Sequence, residues 1–444
     1  MHSDQTKERV GLDTVSDVGQ PMHRLMTELY PICRSITGDG VRQTLKILGR
    51  ILPLKIYEVP TGTQVFDWTV PKEWNIRDAY VKKLRGERVI DFQKSNLHVV
   101  SYSVPVNRRI PLDELQKHLF SLPNHPDWIP YRTSYYNEDW GFCLSERQRK
   151  ALTDDIYEVC IESTLKDGNL TYAEYFLQGE SEDEVLVSCH ICHPSLCNDN
   201  LSGVSLSVQL AQHLGHQANR RYSYRFLFIP GTIGSITWLA RNENRLNPIR
   251  HGLVVTCVGD AGRFTYKKSR RGDAEIDQAA QHVLKHCGHP YIVQEFSPYG
   301  YDERQFCSPG FNLPVGCLMR SPHGSFPEYH TSADNLEFVR PEDLQVSFNL
   351  YRELIDVLEG NRTYVNLNPK CEPQLGRRGL YGAIGADSHR KFDQMALLWV
   401  LNLSDNHHSL LDISIRAEMP FREIKWAAEA LEKCGLLQET VLTD

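Results

Sequence analysis

Apolar and polar positions follow three different rhythms along the chain. Over residues 20–52 (QPMHRLMTELYPICRSITGDGVRQTLKILGRIL) apolar residues recur at helical spacing on either side of Thr37-Gly38-Asp39-Gly40. That pattern predicts two helices around a turn. Between 54 and 128 the runs are short and rich in β-branched and aromatic residues: KIYEVP, VFDWTVP, AYVKK, RVIDF and LHVVSYSVPV. Pro, Gly and Asn separate them, so the stretch reads as a small strand-rich module.

From about 130 to 365 buried-strand and helix patterns alternate. DEVLVSCH is a strand and NLSGVSLSVQLAQHLGH a helix with an Asn/Ser start; YSYRFLFIP is a second strand, followed by a helix through SITWLARNEN. HGLVVTCVGD, the helix DAEIDQAAQHVLKHCG and the strand LPVGCLMR continue the series. Such alternation predicts an α/β domain with a largely parallel sheet. Chemistry in these sheets gathers in the loops after the carboxyl ends of strands. Here those loops are 190–200, 230–235, 258–263 and 321–331. The last segment opens with QLGRRGLYGAIGAD and carries the amphipathic helices KFDQMALLWVLNLS and PFREIKWAAEALEKCGLL around LLDISIRAE, which is the order of a winged-helix module. The expected boundaries are 18–53 with 129–368 for the α/β domain, 54–128 for the inserted β module and 372–444 for the winged helix.

Composition narrows the function classes. The 444 residues are 41% hydrophobic and 24% charged, an ordinary globular balance. At roughly 100–200 residues per domain, several domains fit. Lys+Arg total 49 against Asp+Glu 56, a net charge of −7, which argues against a phosphate-backbone binder. Within 371–444 the counts are 8 Lys+Arg against 11 Asp+Glu, so the winged helix is expected to pack or to join copies of the chain into a homo-oligomer rather than read DNA. No run of about 18 apolar residues predicts a membrane span, and the polar start MHSDQTKERVGLDTVSD lacks an apolar signal core. Twelve Cys are scattered, several inside apolar runs such as VTCV and VGCLM. Reduced thiols of a cytoplasmic enzyme follow that pattern.

The strongest chemical signal is 186-LVSCHICHPSLCNDNLSG-203. A buried strand delivers His190 to its end, and Asp199-Asn200 precedes a helix opening at Ser202-Gly203. Zinc takes neutral imidazoles and carboxylates held by rigid elements, and one shared carboxylate is how zinc pairs are bridged. A second His, His330, arrives in 326-FPEYHTSADNLEF-338.

These motifs resemble the aminopeptidase-like proteins associated with polysaccharide biosynthesis, a branch of the zinc aminopeptidase and glutaminyl cyclase superfamily. The resemblance covers nearly the whole chain. Its most specific pieces are His190-x-x-His193-Pro194, Asp199-Asn200-x-Ser202-Gly203, Tyr301-Asp302 and Tyr329-His330-Thr331. It implies a zinc-aminopeptidase-like three-layer α/β sheet with an inserted β-rich domain and a C-terminal winged helix. It also implies one or two zinc ions on His190, Asp199, His330 and Asp260, with Cys257 an alternative in the register of Asp260. His193 stands either as a replacement ligand or as a substrate-facing donor. Asp302 matches an acid that meets a substrate amine.

One departure stands out. Zinc aminopeptidases carry a Glu-Glu pair after the second strand, and the nearer relatives keep the first Glu in a Pro-Glu-Thr-Ile-Gly-Ser run. This chain reads Pro230-Gly231-Thr232-Ile233-Gly234-Ser235. Gly231 has no side chain to take a proton, and losing a general base typically removes roughly 10²–10⁴ in rate. Glu303 and Glu328 are the candidate substitutes. Cys192 or Cys197 beside His193 is the alternative of an acyl or aminoacyl transferase nucleophile. Cys189-x-x-Cys192 also fits a redox pair in form. Aromatic residues Trp68, Trp74, Trp128, Tyr131, Tyr135, Tyr136 and Trp140 are candidates to line a cleft for a small-molecule or short peptide-like substrate. The sequence therefore predicts a zinc-dependent enzyme acting on an amide or aminoacyl bond of a small biosynthetic intermediate, against a non-catalytic homologue that keeps the pocket to bind a ligand.

Overall fold

A computed structural model describes residues 17–153, 155–380 and 394–440. Its centre is an eight-stranded sheet in the order Lys55–Pro60, Asn169–Leu177, Ser223–Ile229, Glu184–His190, Ile249–Val255, Val315–Met319, Phe264–Lys267, Tyr291–Gln294. The middle four strands are mutually parallel, and antiparallel strands extend the sheet on both sides of them. Every residue of Glu184–His190 is buried, as a parallel strand covered on both faces requires. Its side chains alternate between two apolar cores: Val185, Val187 and Cys189 enter one, Leu186 the other. Helices Gly19–Leu29, Gly203–Gly215, Glu275–His286 and Pro341–Gly360 cover the first face. Helix Ile233–Asn242 and the β module cover the second.

The expected helices and core strands form where the periodicity places them. Three boundaries move. KIYEVP, expected in the inserted module, is the edge strand Lys55–Pro60 of the large sheet, paired antiparallel with Asn169–Leu177. Conversely Ile156–Lys166, assigned to the α/β domain, is a central strand of the module's sheet, between Glu73–Lys83 and Val106–Pro111. Each sheet thus takes a strand from across the expected border. The winged helix likewise begins earlier than 372. Thr363–Asn366 is the middle strand of its three-stranded sheet, flanked by Asp405–Ser409 and Leu437–Thr440. Helices Gln394–Leu403, Leu410–Ala417 and Phe421–Lys433 complete it; residues 381–393 of the expected linker and first helix lie outside the described residues. Among the described residues no helix is long and apolar enough to cross a membrane.

Candidate metal centre

The four central strands end on one rim of the sheet, and the candidate residues gather there. His190 is the last residue of its strand. The following turn brings His193 back against it, with His193 Nδ1 3.1 Å from His190 Nε2. Asp199 enters from the irregular stretch before helix Gly203–Gly215; its Oδ1 lies 2.8 Å from His190 Nε2 and 3.6 Å from His193 Nδ1. From loop 321–331, His330 places Nε2 3.0 Å from the other oxygen, Oδ2. Burial alone would push the Asp199 carboxyl up, but the facing imidazoles of His193, His190 and His330 outweigh it and hold the group well below the usual carboxylate range. Burial drives His193 well below the ordinary imidazole value, against the pull of Asp199.

The donor set fits zinc. Tetrahedral zinc with Zn–N of about 2.0–2.1 Å spaces its donor atoms about 3.3 Å apart. The separations among His190 Nε2, His193 Nδ1 and Asp199 Oδ1 bracket that spacing at 2.8, 3.1 and 3.6 Å. His193 joins His190 and Asp199 in one buried group of donors that could hold a metal ion.

Supporting contacts fix this geometry. Asn200 donates through Nδ2 to the carbonyls of His190 (3.2 Å) and Val255 (3.1 Å) and accepts from Gly203 N–H. Asp334 accepts from the backbone N–H of Asn198 (2.5 Å) and Asp199 (3.0 Å), and burial pushes its carboxyl up to about 8. Tyr131 donates its N–H to the His330 carbonyl and meets both His193 and His330 edge-on, with ring centroids 5.3 and 5.1 Å away. Arg34, buried, donates Nε to the His193 carbonyl.

Several expectations are corrected. Asp260 does not face the cluster. Its carboxylate buckles three loops together, accepting from Asn198 Nδ2, Gly262 N–H and Ser321 Oγ. Cys257 takes that register, and its sulfur, a nitrogen of His323 and an oxygen of Asp199 lie within 4.8 Å of one another. Asp302 Oδ1 accepts from Thr232 N–H (2.7 Å) and Ser235 Oγ (3.0 Å) at the start of helix Ile233–Asn242. Burial raises Asp302 to about 6, despite His190 and these donors. Cys192 Sγ accepts from Gly231 N–H and lies 3.5 Å from the Tyr301 hydroxyl, while the His193 ring faces His190 and Asp199. Burial pushes the Cys192 thiol up to about 11 and Cys197 well above its usual value, away from the lowered range of activated cysteines. Cys189 and Cys192 sit in cores on opposite sheet faces, which removes the redox-pair reading.

Glu303 is a buried partner of Lys267 and accepts from Tyr301 N–H. The Glu328 carbonyl accepts from Thr331. Of the aromatic residues, Tyr131 reaches the cluster. Trp74 is buried with Nε1 bonded to the Ser103 carbonyl, Trp128 stacks on His125 and Trp140 on His118. The sequence reading missed His323 and Asp334. Both lie in stretches it singled out, His323 in loop 321–331 and Asp334 four residues after His330.

Comparison with known proteins agrees with this architecture. Residues 23–361 match the family model described as a domain of unknown function, DUF4910, and residues 362–439 match a winged helix-turn-helix model. A Clostridium acetobutylicum protein named for polysaccharide biosynthesis and an aminopeptidase-like domain is 57% identical over 95% of this chain and 97% of its own. A crystal structure from Clostridium acetobutylicum, described as a candidate peptidase, is 55% identical with a TM-score of 0.92 over 96% of this chain and 97% of that one. The zinc aminopeptidase BSAP from Bacillus subtilis shares the fold at 13% identity, with a TM-score of 0.56 over 77% of this chain and 95% of that one. The chain belongs to the DUF4910 family, shares the fold of a zinc aminopeptidase, and carries a C-terminal winged helix.

Proposed function

We propose that the chain is a zinc-dependent enzyme that acts on an amide or aminoacyl bond of a small-molecule or short peptide-like biosynthetic intermediate. The observation that carries this reading is the convergence of His190 Nε2, His193 Nδ1 and Asp199 Oδ1, buried at the carboxyl end of the central strands, with His330 on the second carboxylate oxygen. Zinc bound there supplies Lewis-acid polarisation of a carbonyl oxygen. Asp199 supplies the only negative charge among these four groups, and Asp334 accepts from its backbone N–H. Tyr131 and Tyr301 wall the cluster, Tyr301 with its ring centroid 3.9 Å from that of His190. Position 231 has no side chain to take a proton, and Asp302 is engaged at the helix start. This supports tailoring of an intermediate over general peptide degradation, in line with the polysaccharide-biosynthesis name of the relative.

The test is elemental analysis of the purified full-length chain, alongside His190→Ala and His330→Ala, with circular dichroism to check folding. Zinc stoichiometric with the wild-type chain and reduced in folded variants is the expected result. No stoichiometric metal, even after zinc is added and the excess removed, overturns the reading in favour of a non-catalytic ligand-binding protein.

A further inference from the structure

Away from the rim, helix Glu275–His286 carries two imidazoles that nothing described above uses. His282 and His286 stand four residues apart, one turn along the helix, so they share a face. Their ring centroids lie 4.7 Å apart, with the planes tilted by 53°. His282 is 4% exposed, and the Nε2 atoms of both rings are buried with no hydrogen-bond partner among the described residues. Burying a polar nitrogen unpaired is unfavourable, and here two such atoms meet on one turn. A metal ion between them would satisfy both. With Zn–N bonds of about 2.0–2.1 Å and tetrahedral angles, two imidazoles on one ion have ring centroids about 5 Å apart. The observed separation is close to that value, and His at i and i+4 is the spacing by which a helix presents two ligands to zinc. Burial, with His286 and Lys285 beside it, holds His282 down at about 4, so at neutral pH it is the uncharged imidazole that a metal takes. The neighbouring cation is compensated, because Lys285 Nζ pairs at 3.0 Å with Glu418 of the winged helix. The Glu418 carboxylate favours positive charge at His286 as well.

We propose that His282 and His286 form a two-histidine site for a borderline divalent ion such as zinc or nickel(II), placed where helix Glu275–His286 meets the winged helix. The site shares no residue with the His190 cluster and does not rest on the function proposed above. Each ring binds through Nε2 and keeps its proton on Nδ1, so two metal–nitrogen bonds form and no proton leaves. Imidazole ligands suit zinc, nickel and copper, whereas magnesium and calcium prefer oxygen. An ion held there would fix the last turn of the helix, the turn from which Lys285 reaches Glu418.

The test is a zinc chloride titration of untagged, chelator-treated full-length protein, with bound zinc per chain read by elemental analysis after equilibrium dialysis. Wild type is compared with His286→Ala, His282→Gln, His190→Ala and the double variant His190→Ala/His286→Ala. His286→Ala should bind about one ion fewer than the wild type, and the double variant about one fewer than His190→Ala, because the two centres are independent. In His282→Gln the zinc needed to load that ion should rise by more than the roughly 10–100-fold that losing a contact behind a ligand costs. Excess magnesium chloride should displace none of it. His286 is the last residue of the helix and only partly buried, so far-UV circular dichroism of metal-free His286→Ala should match the wild type. Equal zinc in wild type and folded His286→Ala across the titration overturns this site, whatever His190→Ala does. Zinc lost in His190→Ala alone then leaves the His190 cluster standing. Zinc lost in His286→Ala but not in His190→Ala supports this site and counts against the cluster.

Discussion

At the scale of single residues, Gly231 and Tyr301 explain each other. A Cβ built on Gly231 would overlap the Tyr301 hydroxyl oxygen, Cζ and Cε1, so the glycine is what lets the phenol reach the floor of the cluster. Restoring a glutamate at 231 is therefore sterically closed while Tyr301 keeps its place. Gly231→Ala should destabilise the chain by roughly 1–3 kcal/mol through overpacking. Tyr301→Phe should not relieve it, since the ring atoms still collide, whereas Tyr301→Ala should. In urea denaturation the double variant Gly231→Ala/Tyr301→Ala should be less destabilised than the two single changes together, with a coupling of about 1–2 kcal/mol. Additive losses would show that the pair does not interlock. The same scale shows where sequence reading stops. His190, Asp199 and His330 were legible because each stands in a distinctive run, His190 at a strand end, Asp199 just before a helix and His330 in loop 321–331. Cys257 and Asp260 lie three residues apart in one loop, and their spacing does not say which side chain turns inward; the backbone at Cys257 is left-handed, with a φ of 49°. His323 needed a third loop to close over the first two, a contact no spacing encodes.

Among elements, the helices and central strands were legible because periodicity is local, while strand partners were not because pairing is set by distant residues. KIYEVP has the same character in either sheet; pairing with Asn169–Leu177 settles its place. Glu73 ties the exchanged elements together. It accepts two bonds from Arg42 of helix Asp39–Leu48 (2.6 and 2.9 Å), one from Asn75 Nδ2 and one from Asn169 N–H at the turn between Ile156–Lys166 and Asn169–Leu177. The Arg42 guanidinium, with the donors from Asn169 and Asn75, outweighs burial and holds the carboxyl at about 2. An unfolded glutamate titrates near about 4.3, so the unfolded chain binds the proton more readily. The stability from this group is fully present above that value and is lost as pH falls toward 2. Glu73→Gln should cost about 1–3 kcal/mol at neutral pH, because partly buried Arg42 loses the most buried of its three carboxylate partners and keeps only Glu58 and Asp39. Denaturation curves at neutral pH and near pH 3 should show the wild type and variant converging on acidification. A deficit that stays constant with pH would mean that shape, not charge, is what Glu73 contributes.

For the whole molecule, the question is whether the winged helix is an appendage or part of the body that carries the site. Domains joined by small polar contacts move independently by default. Here one apolar core contains Met22, Val187 and Phe226 of the α/β domain together with Val400, Ile413, Ile424 and Leu431 of the winged helix. Polar contacts follow the same seam: Asn361 donates to Glu275 and accepts from Leu411 N–H, and Lys285 pairs with Glu418. Helix Pro341–Gly360, between the two, reaches back to the rim, where Ser347 Oγ donates to the Val258 carbonyl and accepts from Arg320 Nε. The winged helix therefore rests on the helix that braces the loops after the third and fourth central strands, the loops that supply Cys257 and His323. Its acidic balance suited packing over DNA reading, but the sequence had no means of showing that its first strand is the continuation of that bracing helix. If the core is continuous, the full-length chain should unfold in one calorimetric transition. Ile424→Ala, a fully buried position in the winged helix, should lower that whole transition, with a cost of about 2–5 kcal/mol. Two transitions, with only the smaller one shifted by the substitution, would show instead that the winged helix unfolds alone and that the shared core does not bind it to the large sheet.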